Sequence, residues 1–253
     1  MWEYILNIAI LIASIYALVK GSEFFITQAS AIARKFKVPE FLIGITILAF
    51  GTSLPEFIIS IVAAFNGNVA ITASNVIGSS IANIGFILAT TAMFGAIKIG
   101  KANLKFDIPL SALSVIIFLV ILYFSKGQVT WVVGLILLLI FATYFILVFF
   151  RERNSAKEEF HGKEKFSILL LILALILISI GGKFSVDSAI NIANLLHISE
   201  GFVGFTILAI GSSLPELIVS VMALKKGQYG LSFGNIIGSN FFNLFSIIGV
   251  SSF

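Results

Sequence analysis

Two motifs in this chain each carry an acid, a proline and hydroxyl groups. They are Gly51-Thr52-Ser53-Leu54-Pro55-Glu56 and Gly211-Ser212-Ser213-Leu214-Pro215-Glu216. Each lies in an apolar run long enough to cross a bilayer, so each places a carboxylate near the hydrocarbon midplane. An ionisable residue at that depth costs about 2.5–3.5 kcal/mol on insertion scales, and its default interpretation is a functional site. Carboxylate and hydroxyl oxygens are ligands for hard cations.

The proline predicts a break in each helix. Pro55 has no N–H, and its ring clashes with the carbonyl of Gly51, so carbonyls over residues 49–51 are expected to lose their partners. Free carbonyls at membrane depth are tolerated where they line a polar cavity, and a cation supplies a new partner. Ser53 and Glu56 also have capping-box spacing. A capped proline kink is therefore the alternative that one copy of the motif leaves open.

Composition places the motifs in a helical membrane protein. The chain has 253 residues, of which 59% are hydrophobic and 11% charged, and its mean hydropathy is +1.11. The apolar runs fit spanning helices rather than alternating barrel strands, so we predict an all-α polytopic fold. The absence of cysteine makes copper and zinc poor candidates. The net charge is +4. The basic residues lie in short loops, where their role in orienting a membrane protein is a sufficient explanation, so nucleic-acid binding is not expected.

The apolar runs predict eight crossings. These are residues 5–19, 41–65, 69–97, 108–124, 129–150, 166–180, 202–224 and 230–253. The first is expected to continue beyond Lys20, and the fourth and fifth contain no buried charge. Residues 151–165 are interpreted as a solvated connector. The chain then divides into a first half, residues 1–150 with five helices, and an incomplete second half, residues 166–253 with three.

The positive charges predict the orientation. If the helices alternate, most lysines and arginines fall on the side of the connector, whereas Lys126 alone lies clearly in a loop on the other side. The positive-inside rule then places the N-terminus outside and the 151–165 connector in the cytoplasm. The predicted location is the plasma or inner membrane of the cell.

The chain contains an internal repeat. A shift of 160 positions lays residues 40–83 on residues 200–243 without a gap. Five crossings separate the copies, and because five is odd, the second copy enters the membrane from the opposite side. Inverted repeats with a midplane substrate site are typical of secondary transporters.

The helix after each motif supplies further polar groups at every fourth position, on one face. They are Asn75, Ser79 and Asn83 in the first copy and Asn235, Ser239 and Asn243 in the second. One interpretation is hydrogen bonding between helices with close packing at Gly78 and Gly238; the other is ion binding. Packing is favoured for the asparagines at 75 and 235, and ion binding for the other four residues.

This inventory favours exchange of hard cations. Calcium accepts about 6–8 oxygen ligands in loose geometry, and hydroxyl and carbonyl oxygens also suit sodium. An empty site would leave two buried negative charges, so crossing empty is disfavoured. The carrier is then expected to move only when it is loaded with either ion.

Other polar residues are weaker candidates. Lys20, Glu23, Lys183 and Asp187 lie at the polar ends of the first and sixth helices, where snorkelling accounts for them. Glu23 and Lys183 occupy equivalent repeat positions. Ser53 has no histidine or aspartate placed to activate it as a nucleophile, so we do not predict an enzyme.

The motifs GTSLPE with SNVIGSSIAN, and GSSLPE with GNIIGSNFFN, resemble the two alpha-repeats of the calcium/cation antiporter superfamily, in its sodium/calcium exchanger branch. The resemblance implies Glu56 and Glu216 as central ligands. It also implies further ligands, namely Thr52, Ser53, Ser79, Asn83, Ser212, Ser213, Ser239 and Asn243, with carbonyls from Ala49 and Ala209. It implies that the first and sixth helices slide across a stationary core to give alternating access.

The resemblance also sets the expected partners. These are transported calcium and sodium ions and the lipid bilayer, for a monomer without a prosthetic group. Ser212 stands where the family usually has threonine, which preserves the hydroxyl. The family has ten helices, so this chain is expected to be truncated after the eighth. The alternatives are a proton/calcium or potassium-dependent exchanger and, from other classes, a passive cation channel or a non-transporting membrane fragment.

Overall fold

The computed structural model describes residues 2–66, 69–125, 129–153, 165–198 and 211–252, and this part of the chain forms nine helices and no strand. The first six are α1 (Trp2–Phe36), α2 (Glu40–Thr52), α3 (Leu54–Phe65), α4 (Val69–Ile81, continued by the π-helical Ala82–Ile87 and by Leu88–Phe94), α5 (Lys101–Phe124) and α6 (Trp131–Arg153). The last three are α7 (Ile168–Leu195), α8 (Leu214–Lys225) and α9 (Tyr229–Phe241, continued by the π-helical Phe242–Ile247 and by Ile248–Ser251). Within α2, Gly44–Leu48 is also π-helical.

Most of the predicted crossings are present as helices. Six of them, α1, α4, α5, α6, α7 and α9, are long and apolar enough to cross a membrane, and α2 with α3 forms a seventh span bent by 51°. The predicted run 202–224 ends in α8, but residues 201–210 lie outside the described part of the chain. The all-helical prediction is confirmed.

The first and sixth crossings are longer than their apolar runs. Helix α1 continues past Lys20, as expected, and Lys20 Nζ lies 2.8 Å from Glu23 Oε2. Helix α7 continues past residue 180 to Leu195 because its polar second half packs against α1. Ser185 donates a hydrogen bond to Ser14 Oγ at 3.0 Å, and small residues allow the two backbones to approach closely. The two helices therefore pack as a pair.

Helix α9 is the centre of the bundle. It is buried continuously from Leu231 to Gly249. On one side, Gly234 contacts α2 so closely that a Cβ there would lie 2.6 Å from the carbonyl oxygen of Phe41. On another side, α6 covers α9 through the stacked rings of Tyr144 and Phe241, whose centroids are 3.7 Å apart. This packing presses the polar face of α9 against the helix that carries the first motif.

Candidate cation site

The two motifs adopt nearly the same backbone. Ser53 separates α2 from α3 with φ −85° and ψ 8°, and Ser213 precedes α8 with φ −93° and ψ 10°. A proline follows in the first turn of the next helix in both copies. The sequence repeat is thus also a structural repeat at the helix breaks.

The alternative of a capping box is not observed. Neither Ser53 nor Ser213 makes a side-chain cap hydrogen bond to its helix. The freed carbonyls are also fewer than predicted, because Ser53 N donates to the Ala49 carbonyl at 3.1 Å. The Ala49 oxygen keeps a second lone pair, and Gly51 loses its usual donor because Pro55 stands four residues on.

The hydroxyl of Ser53 instead joins the two halves of the molecule. It donates to Oε1 of Glu216 at 2.8 Å, across 163 residues of sequence. Glu56 lies one turn after Ser53 on the same side of the helix. Both glutamates are almost fully buried, with 0% and 1% exposure. Both acids therefore face into the protein, and the hydrogen bond of Ser53 places Glu216 next to the motif that carries Glu56.

Several polar atoms of the two motifs and of the helices that follow them are buried without a hydrogen-bond partner in the described part of the chain. They are both carboxylate oxygens of Glu56, Oε2 of Glu216, the hydroxyls of Ser79 and Ser213, and the side-chain amides of Asn83 and Asn243. An unsatisfied buried polar group typically costs about 1–3 kcal/mol. Most of these atoms are hard oxygens, the ligand type of calcium and sodium. The cluster thus has the chemistry of a cation site.

The remaining predicted site residues lie between α2 and α9, at the wall of a cavity, or outside the described residues. Thr52 is buried, and its hydroxyl lies 3.4 Å from the Ala49 carbonyl, 3.1 Å from Asn235 Oδ1 and 3.5 Å from Ser239 Oγ. This brings Thr52, Ala49 and Ser239 together between α2 and α9. Ser212 lines a cavity beside the second motif. Ala209 lies outside the described residues.

Asn75 and Asn235 make equivalent hydrogen bonds in the two copies. Asn75 Nδ2 donates to the Glu56 carbonyl at 3.3 Å and to Ser60 Oγ at 3.1 Å. Asn235 Nδ2 donates to the Glu216 carbonyl at 3.3 Å and to Ser220 Oγ at 3.0 Å. Each asparagine thus links its own helix to the preceding helix, which bears the acid. This agrees with the favoured packing interpretation.

A cavity of about 480 Å³ lies beside the two motifs. It lies between α3, α7 and α8, and its walls include Pro55 and Pro215, each directly before a glutamate, together with Lys183 and Asp187. Sequence reasoning assigned these two charges only to snorkelling. Both side chains are exposed in the structure, at the wall of this cavity.

Sequence reasoning missed a second buried polar cluster, between α5 and α6. Asp107 is fully buried and accepts hydrogen bonds from Tyr144 Oη at 3.1 Å, Arg151 Nη2 at 2.7 Å and Asn103 Nδ2 at 3.0 Å. Arg151 also lies 2.9 Å from Glu152. Asp107 immediately precedes an apolar run, and Arg151 and Glu152 follow another, so each was interpreted as lying outside the membrane helices.

Comparisons with known proteins agree with this geometry. A protein-family model described as "Sodium/calcium exchanger protein" matches residues 6–150 and 166–253. The sodium/calcium exchanger MaX1 of Methanosarcina acetivorans is 34% identical over an alignment of 291 residues, gaps included. The alignment covers 97% of this chain and 82% of that protein. An uncharacterized membrane protein of Methanocaldococcus jannaschii is 38% identical over 253 residues, which cover 98% and 82%.

The fold also matches a solved structure. The sodium/calcium exchanger from Methanococcus jannaschii superposes with a TM-score of 0.84 and 36% sequence identity, covering 98% of this chain and 82% of that chain. The match confirms the predicted fold class.

Proposed function

The chain belongs to the sodium/calcium exchanger protein family, and we propose that the buried oxygen cluster around Glu56 and Glu216 binds the exchanged ions. The protein is a multi-pass membrane antiporter of sodium and calcium, and not an enzyme. The observation that carries the site assignment is the set of buried carboxylate, hydroxyl and amide oxygens without protein partners.

The proposed ligands come from both copies of the repeat. They are Glu56, Thr52, Ser53, Ser79 and Asn83 with the Ala49 carbonyl, and Glu216, Ser212, Ser213, Ser239 and Asn243 with the Ala209 carbonyl. Calcium takes about 6–8 oxygens at about 2.3–2.6 Å, so this set is large enough for one calcium or for several sodium ions. Ser53 has a further role, because its hydrogen bond to Glu216 fixes one carboxylate oxygen.

Coupling follows from the charge of the site. One calcium or two sodium ions neutralise the two buried carboxylates, whereas an empty site leaves two charges of the same sign out of water. The penalty for a buried uncompensated charge is several kcal/mol. The transition between outward and inward access is therefore strongly favoured when the site is loaded, which is the requirement for antiport.

Helices α1 and α7 are the moving pair in this proposal. Lys226, in the turn after α8, holds α1 by donating to the Glu23 carbonyl at 3.0 Å and to Thr27 Oγ1 at 3.1 Å. The equivalent part of α7, around Lys183, instead lines the open cavity. Gly21 packs against Ala174 and Ile178, and Gly181 against Ser14 and Leu18, so the two helices are antiparallel and these two positions lie on opposite sides of the middle of the pair. The site is then reached from one end and closed at the other.

Calcium flux into reconstituted vesicles tests this function. We expect rapid uptake of external calcium when the vesicles contain sodium, and little uptake when sodium is replaced by choline, because calcium entry requires sodium exit. Protein-free vesicles with the same gradients are the control. Uptake driven by a proton gradient and indifferent to sodium would instead identify a proton-coupled exchanger. A requirement for potassium would identify a potassium-dependent one, and uptake without a counter-ion would identify a channel.

The proposed orientation in the cell membrane is also testable. We place the N-terminus outside and the 151–165 connector in the cytoplasm, for a monomer with a first half of 1–150 and a second half of 166–253. Because the chain has no cysteine, Glu3→Cys and Lys165→Cys each create a single thiol. An impermeant maleimide added to intact cells is expected to label the Glu3→Cys variant, and the Lys165→Cys variant only after permeabilisation. The reverse labelling pattern would overturn the orientation.

A further inference from the structure

The surface of the bundle carries a large groove between the end of α1, the first part of α2 and the end of α6. Its volume is about 820 Å³. Its walls are mainly apolar, formed by residues such as Ile32, Ile43, Ile47, Phe145, Phe149 and Phe150. The floor includes the π-helical turn of α2, Gly44–Leu48, which leads directly to Ala49 and Thr52. The groove is separate from the cavity beside the two acids.

Two basic side chains lie at the edge of the groove, where α1 and α6 end. Lys37 directly follows the last residue of α1, and Arg153 is the last residue of α6. Neither side chain makes an ion pair within the residues that the structure describes. Arg151, two residues earlier, differs because Asp107 and Glu152 neutralise it. The positive charge at the groove is therefore available to a ligand.

We propose that this groove binds an anionic phospholipid, with the phosphate between Lys37 and Arg153 and an acyl chain along the apolar walls. Both cations lie at the ends of membrane-spanning helices, the level at which lipid head groups are found. Basic pockets between transmembrane helices bind anionic head groups.

The charge of the groove decides which lipid it selects. No acidic side chain is among the described residues that line it, so none of these residues repels a phosphate or attracts a cationic head group. Within a bilayer an apolar wall gives little preference for one acyl chain over another, because the surrounding lipid is equally apolar. Selectivity must therefore come from Lys37 and Arg153.

Native mass spectrometry of the delipidated protein in detergent tests the proposal, with phosphatidylglycerol and phosphatidylcholine of identical acyl chains as probes. We expect the unsubstituted protein to prefer phosphatidylglycerol. The double variant Lys37→Gln/Arg153→Gln is expected to bind it about thirtyfold more weakly, the factor that two basic residues supply at an anionic surface. Its binding of phosphatidylcholine should not change. This readout is independent of ion transport.

The matched control is Lys101→Gln/Lys105→Gln, which removes the same charge from α5, away from the groove. It should bind phosphatidylglycerol like the unsubstituted protein. A second variant, Ile146→Trp, keeps both cations but narrows the groove at a position that is already 55% exposed, and it should weaken phosphatidylglycerol binding. Equal binding by the two double variants, or unchanged binding by Ile146→Trp, would overturn the proposal.

Discussion

Glu56→Gln is expected to abolish sodium-dependent calcium uptake. The substitution preserves the size of a fully buried side chain but removes one of the two charges that balance calcium. Loss of one partner from a buried charge interaction typically costs about 3–5 kcal/mol, which weakens calcium binding by about 100-fold or more. The measurement is calcium uptake into sodium-loaded vesicles, and Glu216→Gln should behave in the same way.

A stability measurement separates lost binding from lost folding. Calcium that binds only the folded protein raises its free energy of unfolding by about 2.7 kcal/mol at a concentration 100 times the Kd. The melting temperature of the unsubstituted protein in detergent should therefore rise with calcium, and that of the Glu56→Gln variant should not. Glu152→Gln is the control, because it alters a buried acid outside the site. A calcium-dependent rise in the Glu56→Gln variant equal to that of the control would contradict the site assignment.

The internal repeat made the backbone at the two motifs predictable. A gap-free shift of the sequence relates the two motifs, and equal sequences broken by proline at the same place adopt equal backbones, as the dihedral angles of Ser53 and Ser213 show. Spacing by four residues likewise placed Ser79 and Asn83 on one face, and both are buried with unpartnered side chains.

Contacts between distant parts of the chain were not predictable in this way. The spacing of Ser53 and Glu56 fits a local capping box, but the Ser53 hydroxyl binds Glu216, 163 residues away. Local spacing contains no information about such a partner. Asp107 was missed for the same reason, since its partners Tyr144 and Arg151 are 37 and 44 residues distant. Taken alone in the sequence, Asp107 and Arg151 each look like a polar residue at the end of a membrane helix.

The length of α7 shows a further limit of hydropathy. The apolar run ends near residue 180, where Gly181 and Gly182 interrupt it, yet the helix continues to Leu195. A Cβ added at Gly181 would lie 2.8 Å from the backbone nitrogen of Leu18. The small residues that lower the hydropathy are therefore the residues that allow α1 and α7 to pack together, and this pairing underlies the proposed movement.

A disulfide between α7 and the residues just before α8 is expected to stop exchange by preventing that movement. A Cβ built on Gly211 lies 3.5 Å from the Cβ of Val186, within the range of about 3.5–4.5 Å found in disulfides. The double variant Val186→Cys/Gly211→Cys also removes the valine methyl groups that a new Cβ would meet. Calcium uptake should be lost after oxidation and restored by a reductant, because the tether holds α7 in one position against the core.

Two controls show that the tether, rather than the substitutions, is responsible. Val186→Cys alone, and Val186→Ala/Gly211→Cys, which also removes the valine methyl groups, should each transport equally with and without oxidant. Ser14→Cys/Ser185→Cys links α1 to α7 at a position where the two hydroxyl oxygens are already 3.0 Å apart. If α1 and α7 move together, this tether should leave uptake intact. Full uptake by the oxidised Val186→Cys/Gly211→Cys variant, with the disulfide verified by mass, would contradict a sliding α7.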